Sequence, residues 1–221
     1  MTDFIIKHKR LVCGVGVNDS NYLQKITKEL PRLDGKRNQK TLWTCPYYVR
    51  WTDMLKRSFS KKFKSKHPTY KDVTCCDEWI TFSNFKSWME QQDYEGKQLD
   101  KDLLVYKNKI YSPETCCFIK PSLNVYLTSG NKQSGPYPLG VYFSNSRNLY
   151  VAQCRNGKGK NQNLGGYSTA VVAHQAWQVF KYQMALVFYS EEENEKIKEG
   201  ILRVYNKIKN DYDNNLITED F

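Results

Sequence analysis

The sequence predicts an α+β fold. A helical N-terminal part leads into a small ββα segment, followed by a three-stranded antiparallel sheet packed on a helix, and then a C-terminal helix. Three observations support this prediction. Apolar residues recur at helical spacing between residues 47 and 59, and the same spacing returns between residues 170 and 208. Between residues 139 and 167, three short apolar runs are separated by turn-forming residues, as in neighbouring antiparallel strands.

The N-terminal part is expected to contain two helices. The first begins at Cys45-Pro46, because proline is favoured in the first turn of a helix. Its apolar stripe consists of Tyr47, Trp51, Leu55 and Phe59. The second helix lies between Trp79 and Met89, with Ser83 as its cap. The polar, basic segment 31–44, which precedes the first helix, is predicted to be an exposed loop that lies along DNA.

Charge is distributed unevenly along the 221 residues, whose net charge is +11. Residues 1–70 carry 16 Lys and Arg against 5 Asp and Glu; residues 71–184 carry 13 against 9, and residues 185–221 carry 5 against 9. The positive field therefore lies toward the N-terminal part. Such a field suits a polyanion, and nucleic acid is the commonest one in solution, although a solvated basic surface has the same composition.

The seven cysteines are expected to be reduced thiols in a cytoplasmic protein. Their number is odd, two pairs are adjacent, and no C-x-x-C spacing occurs. The sequence shows no signal peptide and no apolar run of the roughly 20 residues that span a membrane. Buried free thiols are the favoured interpretation. The alternative is a structural Zn²⁺ bound by Cys45, Cys75 or Cys76, and Cys116, at a spacing that matches no standard pattern.

The segment 98–124 holds the residues of greatest chemical interest. Asp100, Lys101 and Asp102 lie in an apolar frame that predicts a strand. A turn at residues 106–109 and a second short strand, Ile110-Tyr111, would complete a hairpin. Because Asp100 and Asp102 are two residues apart on a strand, their side chains would share one face of that hairpin.

A helix is expected to follow the hairpin. Ser112-Pro113-Glu114 is typical of a helix start, with a capping serine, a proline in the first turn and an acid behind it. Phe118, Leu123 and Asn124 would lie on or near this helix. Carboxylates on the hairpin and a carboxamide on the helix are hard oxygen ligands, and they would hold one divalent cation against a phosphate.

This stretch resembles the ββα-metal (HNH) nuclease module of phage homing endonucleases, and more closely a subfamily of phage proteins with the pattern LDKD, YSPETC and a later Asn. The resemblance implies metal-dependent hydrolysis of DNA, with Mg²⁺ or Mn²⁺ held by Asp100, Asp102 and Asn124. Two positions depart from the family pattern. Lys101, or Leu103 in the other register, stands where the general-base His is expected, and Thr115 stands where the middle Asn is expected.

The missing histidine leaves the general base open. Lys101 is interpreted as a phosphate clamp, because the adjacent carboxylates favour its charged form. His67 or a second carboxylate, either Asp102 or Glu114, would have to serve as the base. Loss of a general base costs a factor on the order of 10²–10⁴ in rate.

Residues 139–189 are predicted to form a DNA-binding domain after a Gly-, Ser- and Pro-rich linker at 128–138. Strands at 139–143, 149–155 and 163–167 would precede a helix from about 170 to 188. The runs GVYF, LYVAQCR, LGGYST and AHQAW resemble the APETALA/ethylene-response-factor DNA-binding domain, whose sheet lies in the major groove. The resemblance implies double-stranded DNA as the partner. The candidate contact residues are Tyr142, Ser144, Arg147, Tyr150, Gln153, Arg155, Lys158 and Lys160.

Residues 190–221 are predicted to form a C-terminal helix with an acidic tail. Ser190 to Glu193 is typical of a capping box. The apolar stripe of the helix consists of Ile197, Ile201, Val204 and Ile208. The acidic end of the chain, from Asp211 to Phe221, is expected to be frayed; the alternatives are that it packs on the protein itself or screens the basic surface.

Two functions follow from these patterns. The first is a phage-type HNH-like endonuclease, in which residues 1–127 carry the nuclease module (core 98–124) and residues 139–189 choose the DNA site. The alternative is a DNA-binding protein whose module is inactive and which acts as a regulator or blocker. A third function, as a protein-binding counter-defence factor, has no support from any residue. The endonuclease is favoured because the acidic pair and Asn124 are retained. We expect no membrane association and no small-molecule cofactor, and the host cytoplasm as location if the protein is phage-encoded.

Overall fold

A computed structural model describes residues 11–128, 135–155 and 160–221 of the chain. It has a mixed α+β architecture with a three-stranded antiparallel sheet and C-terminal helices, as predicted. The chain divides into two compact units. The first unit contains the residues up to Asp93 together with Asn108–Cys116, and the second contains Tyr94–Lys107 and Cys117–Phe221. The predicted linker at 128–138 includes residues 129–134, which lie outside the described residues.

Nine strands and six α-helices are present in the described residues. The strands are β1 (Lys25–Leu33), β2 (Lys36–Thr44), β3 (Thr74–Cys75), β4 (Gln98–Asp100), β5 (Ile110–Tyr111), β6 (Cys117–Ile119), β7 (Val141–Ser144), β8 (Leu149–Arg155) and β9 (Asn161–Tyr167). The helices are α1 (Pro46–Phe59), α2 (Lys61–Lys66), α3 (Phe82–Met89), α4 (Pro121–Thr128), α5 (Ala170–Glu191) and α6 (Glu195–Asp213). None of the helices in the described ranges is both long and apolar enough to cross a membrane.

The first unit begins with an antiparallel hairpin of β1 and β2, where the sequence predicted a loop at 31–44. That prediction was wrong. Asp34 and Gly35 connect the strands in two residues and both have positive φ, +52° and +71°, as type I′ hairpin turns require. Glycine adopts this conformation without strain and aspartate tolerates it, so the Asp-Gly pair fixes the hairpin locally.

A cluster of aromatic and aliphatic side chains from α1 and α3 forms the core of the first unit. Helix α1 begins at Pro46 as predicted, and its Trp51 and Leu55 are fully buried. The Trp51 indole donates a hydrogen bond to the Trp79 carbonyl at 2.7 Å, which satisfies its polar atom inside the core. The second predicted helix is α3, but its predicted start differs from the observed one. Residues 77–80 form a 3₁₀ turn, and Thr81 rather than Ser83 occupies the N-cap position of α3.

The second unit contains the sheet β7-β8-β9 packed on α5, which confirms the predicted order of three strands and a helix. All pairings are antiparallel. Inward-facing Val141 and Ala152 pack on Ala173 of α5. Leu139 and Cys154 pack on Trp177, which is fully buried.

Helix α6 packs along α5 and buries the predicted stripe of Ile197, Ile201, Val204 and Ile208. The predicted capping box at Ser190 was wrong, because α5 continues through Ser190 to Glu191. Asn194 caps α6 instead, and its side-chain oxygen accepts hydrogen bonds from the backbone N–H groups of Lys196 and Ile197.

The end of the chain is docked, and the expectation of a frayed tail was wrong. Thr218 is fully buried; its backbone N–H donates to Nε2 of His174 at 3.0 Å and its hydroxyl donates to Asp211 at 2.9 Å. His174 donates from Nδ1 to the Leu139 carbonyl at 2.9 Å, and burial lowers its pKa, so it is a neutral packing residue. This network anchors the end of the chain to α5 and α6.

Candidate nucleic-acid interface and metal site

The predicted hairpin in segment 98–124 does not form. Strand β4 pairs antiparallel with β6, whereas β5 pairs in parallel with β3 of the first unit. Ser112-Pro113-Glu114 forms a turn rather than a helix start, and Phe118 lies in β6 rather than in a helix. The run Cys117–Ile119 is wholly buried, and short buried apolar runs favour a strand over a helix.

The order strand, antiparallel strand, helix nevertheless exists, built from β4, β6 and α4. Leu123 and Asn124 lie on α4, as predicted. Gln98 and Asp100 share one face of β4 because they are two residues apart on the strand. The Asn124 amide donates a hydrogen bond to the side-chain oxygen of Gln98. Asn124 and Asp100 therefore border the same face of the β4–β6 pair.

Asp100 acts as a cap for the turn that follows β4. Its Oδ1 accepts hydrogen bonds from the backbone N–H groups of Asp102, at 2.9 Å, and Leu103, at 2.7 Å. Burial raises the pKa of this carboxyl above its ordinary value, and the two N–H groups offset only part of that effect. Asp100 therefore accepts hydrogen bonds from the backbone of the following turn, and burial disfavours its charged form.

Asp102 lies outside the strand, so the predicted shared face with Asp100 was wrong. Strand β4 ends at Asp100, and Asp102 is exposed in the following turn. Lys101 is buried with a 7% exposed fraction, and its Nζ lies 2.5 Å from Oδ1 of Asp102. This ion pair holds the lysine within the loop, which does not match the predicted role of a phosphate clamp.

Two residues of α6 that the sequence interpretation missed hold this loop in place. Arg203 donates from Nη2 to the carbonyls of Leu103, at 2.8 Å, and Asp102, at 3.2 Å. A Cβ on Gly200 would lie 2.6 Å from the Leu103 carbonyl oxygen, closer than real Cβ contacts allow. A glycine inside an otherwise amphipathic helix was the available signal, because helix interiors disfavour glycine unless a close approach requires it.

The described residues fit a divalent metal poorly. They contain no group of three or more His, Cys, Asp and Glu side chains placed to hold an ion. Of the predicted ligands, Asp100 uses its Oδ1 to cap the turn, and Asn124 donates its Nδ2 to Gln98, which fixes the orientation of its amide. Mg²⁺ normally takes one or two carboxylates and several waters. The carboxyl on this face of the β4–β6 pair is that of Asp100, and burial raises its pKa.

The predicted zinc alternative has no better support from the geometry. All seven cysteines are free thiols, and Cys45, Cys75 and Cys116 are buried. Burial raises the pKa of the Cys75 thiol to about 12, as is typical of a buried free thiol.

The sheet of the second unit has one polar face, which forms a candidate nucleic-acid interface. Side chains of β8 alternate: Ala152 and Cys154 face α5, so Gln153 and Arg155 point to the opposite face. Residues directly opposite in an antiparallel pair share a face, which places Asn163 beside Gln153 and Asn161 beside Arg155. We call this surface the outer face. Its polar and aromatic members are Tyr142, Gln153, Arg155, Asn161 and Asn163, and the buried Val151, which is opposite Tyr142, lies on the same face.

Tyr150 was predicted to contact DNA, and the structure places it on the inner face instead. Its ring lies 5.0 Å from that of Phe143 and 5.3 Å from that of Tyr137, within the cluster under α5. The sequence could not decide between the faces, because a shift of one residue exchanges them. Tyr142, which is 37% exposed, is the aromatic residue that the outer face carries instead.

Basic residues flank the outer face at both ends of its strands. Arg147 is exposed in the turn between β7 and β8, Arg155 is exposed at the end of β8, and Lys160 is exposed just before β9. Lys158, also predicted to bind DNA, lies outside the described residues. Between Glu114 and Glu191 the sequence contains no Asp or Glu at all. These basic side chains, in a stretch of sequence without acidic residues, favour a positive field at this face.

Comparison with known proteins adds no relative to this picture. No protein family matches the chain, and neither the curated proteins nor the solved structures include one of significant similarity.

Proposed function

We propose that this protein binds double-stranded DNA through the outer face of the sheet β7-β8-β9. The observation that carries the proposal is the acid-free outer face, on which Gln153, Arg155 and Asn163 lie side by side. Guanidinium groups pair with phosphate oxygens, whereas the amides of Gln and Asn match the donor and acceptor pattern of base edges. The face thus combines groups that position a protein on DNA with groups that read its sequence.

Duplex DNA fits this face better than a single strand does. Single-stranded nucleic acid is usually bound by several exposed aromatic rings on which bases stack. Here Phe143 and Tyr150 face α5, and Tyr142 is the aromatic side chain of the outer face. Amide and guanidinium groups on a sheet suit the major groove of B-form DNA, which is wide enough to admit β-structure.

The test is a comparison of exposed charge removals in the full chain. Arg147→Gln and Arg155→Gln should each reduce the slope of log K against log salt by about one, because each removes one phosphate contact. Gln153→Ala should weaken binding to a preferred site without changing that slope, because it removes a base contact. Lys196→Gln, which removes an exposed charge on α6, is the matched control and should leave both quantities unchanged. Equal effects of all the Arg and Lys variants would contradict the assignment of the outer face.

We propose DNA endonuclease activity of the HNH type as the second candidate function. The observation in its favour is the β4-β6-α4 order, with Asp100 and Asn124 at one face of the strand pair. In this HNH-like arrangement the second strand is β6 rather than β5. Lys101, which stands where the family pattern has its general-base histidine, is held by Asp102.

Cleavage assays with Mg²⁺ and with Mn²⁺ test the second candidate. If the protein is an endonuclease, Asp100→Asn should abolish cleavage, because it removes the buried charge but keeps the oxygen that caps the turn. Asp102→Asn, at an exposed position, should leave cleavage nearly unchanged. Absence of cleavage by the wild-type protein with either metal, together with intact DNA binding, would reject this candidate and leave the first.

A further inference from the structure

The hairpin of β1 and β2 is a two-stranded ribbon whose side chains are almost all exposed. Along β1 and β2, only Asn38 and Thr44 are half-buried among the residues whose exposure is described. Residues 25–44 carry six Lys and Arg against two acidic residues. We call this hairpin the basic ribbon. A ribbon that is so exposed contributes little to the core, so packing against the core does not explain its positive charge.

The two faces of the basic ribbon differ in their electrostatics. On one face, Arg37 donates to Glu29 at 2.7 Å across the strands, so the charges are paired. On the other face, Lys28 lies directly opposite Lys40. Like charges in this arrangement destabilise a strand pair, and in the described residues neither lysine has an ion pair with a carboxylate. The Lys28–Lys40 face therefore presents two lysines without a carboxylate partner in the described residues, beside the exposed side chain of Leu30.

We propose that the Lys28–Lys40 face of the basic ribbon binds duplex DNA in the major groove, as a second DNA contact besides the outer face. Two strands lie about 5 Å apart, and with side chains the ribbon fills a groove about 12 Å wide but not one about 6 Å wide. A strand of nine residues extends about 30 Å, close to one turn of B-form DNA. Bound phosphates would remove the repulsion between Lys28 and Lys40.

Another copy of this chain is a poorer partner for the basic ribbon. Pairing through a strand edge needs regular, unobstructed backbone groups, and Pro31 lacks an N–H in the middle of β1. The ladder is also irregular at two places, between Ile26 and Thr27 and between Leu30 and Leu33. Two copies would bring like-charged ribbons together, whereas DNA supplies the opposite charge.

The decisive experiment compares two double variants of the full chain that act on opposite faces of the basic ribbon. Lys28→Gln with Lys40→Gln removes both unpaired charges and should lower the salt slope of DNA binding by about two. It should also abolish part of the protection of guanine N7 from methylation, since N7 faces the major groove. Glu29→Gln with Arg37→Gln preserves the net charge and should change neither quantity. Circular dichroism spectra would verify that both variants are folded.

Each outcome separates this proposal from the proposed function. An unchanged slope in the Lys28/Lys40 variant overturns the ribbon proposal, even if Arg155→Gln shows that the outer face binds DNA. An altered slope with unchanged N7 methylation overturns the major-groove assignment. Loss of binding to double-stranded RNA or to anionic vesicles, with DNA binding intact, also overturns the proposal. Conversely, a ribbon effect without any effect of Arg155→Gln supports the ribbon and rejects the outer face.

Discussion

Gly140→Ala is expected to destabilise the second unit by about 2–4 kcal/mol. Gly140 has a φ of +76°, a conformation that costs other residues about 1 kcal/mol or more. A Cβ there would lie 2.0 Å from Cδ1 of Trp177, whose ring is fully buried. Forcing an extra methyl group into a packed core costs a further 1–3 kcal/mol, roughly. The Gly140 carbonyl also accepts a hydrogen bond from the Gln153 N–H, so a shift of Gly140 would disturb the sheet.

Chemical denaturation of the full chain, followed by tryptophan fluorescence, measures this effect. Gly135→Ala is the matched control, because Gly135 also has a positive φ, +81°, but a Cβ there would meet nothing within 4 Å. The control should therefore show the conformational cost alone. Adding Trp177→Leu to Gly140→Ala should recover part of the loss by making room. Equal destabilisation by Gly140→Ala and Gly135→Ala would show that the close approach to Trp177 is not real.

Lys181→Met is expected to remove a marked rise of stability with pH. Lys181 is fully buried in the second unit, where its Nζ donates to the Tyr126 carbonyl at 2.5 Å and lies 4.1 Å from the centre of the Tyr126 ring. Burial lowers its pKa to about 8, from about 10.5 in the unfolded chain. Between these two values the folded state has lost a proton that the unfolded state still holds.

Stability must therefore increase as pH rises from about 8 to about 10.5, and be insensitive to this group below pH 8. The full difference amounts to about 3 kcal/mol, at about 1.4 kcal/mol for each pH unit. Unfolding free energies of wild type and Lys181→Met, measured across this range, should diverge accordingly. Burial raises the pKa of the nearby Cys154 thiol and Lys181 lowers it, so both proteins should carry Cys154→Ala to isolate the lysine. Parallel pH profiles would contradict the prediction.

The sequence predicted the second unit well because its signals are local. The alternation of LYVAQCR gave the bounds of β8 correctly, and the helical period gave the start of α5 at Ala170. Turn residues separate these elements, so each strand or helix can be recognised from about a dozen consecutive residues. What the alternation could not give was the choice of the face that packs on α5, which decided the role of Tyr150.

Segment 98–124 was mispredicted because its pairings are not local. β4 finds its partner β6 beyond β5, and β5 pairs with β3, some 35 residues earlier in the chain. Strand propensity and turn residues predict pairing between strands that are neighbours in the sequence. They cannot predict a pairing that depends on burial against other parts of the fold. The chemistry of Asp100 was affected in the same way, since its role as a turn cap depends on where β4 ends.

The basic ribbon could have been predicted from the sequence. Asp34-Gly35 is a strong hairpin signal, but Pro31 and the high charge of the flanking residues obscured the strands. The absence of acidic residues between Glu114 and Glu191 was likewise visible and points to the same class of ligand. Both features are a local excess of positive charge.

The salt dependence of binding between the wild-type chain and duplex DNA tests the central claim most directly. The account predicts that log K falls linearly as log salt rises, with a slope of about −2 or steeper, because Arg147 and Arg155 each release counterions. A duplex should bind more tightly than a single strand of the same length. Failure to bind any duplex at low salt, or an affinity that does not change with salt, would contradict it.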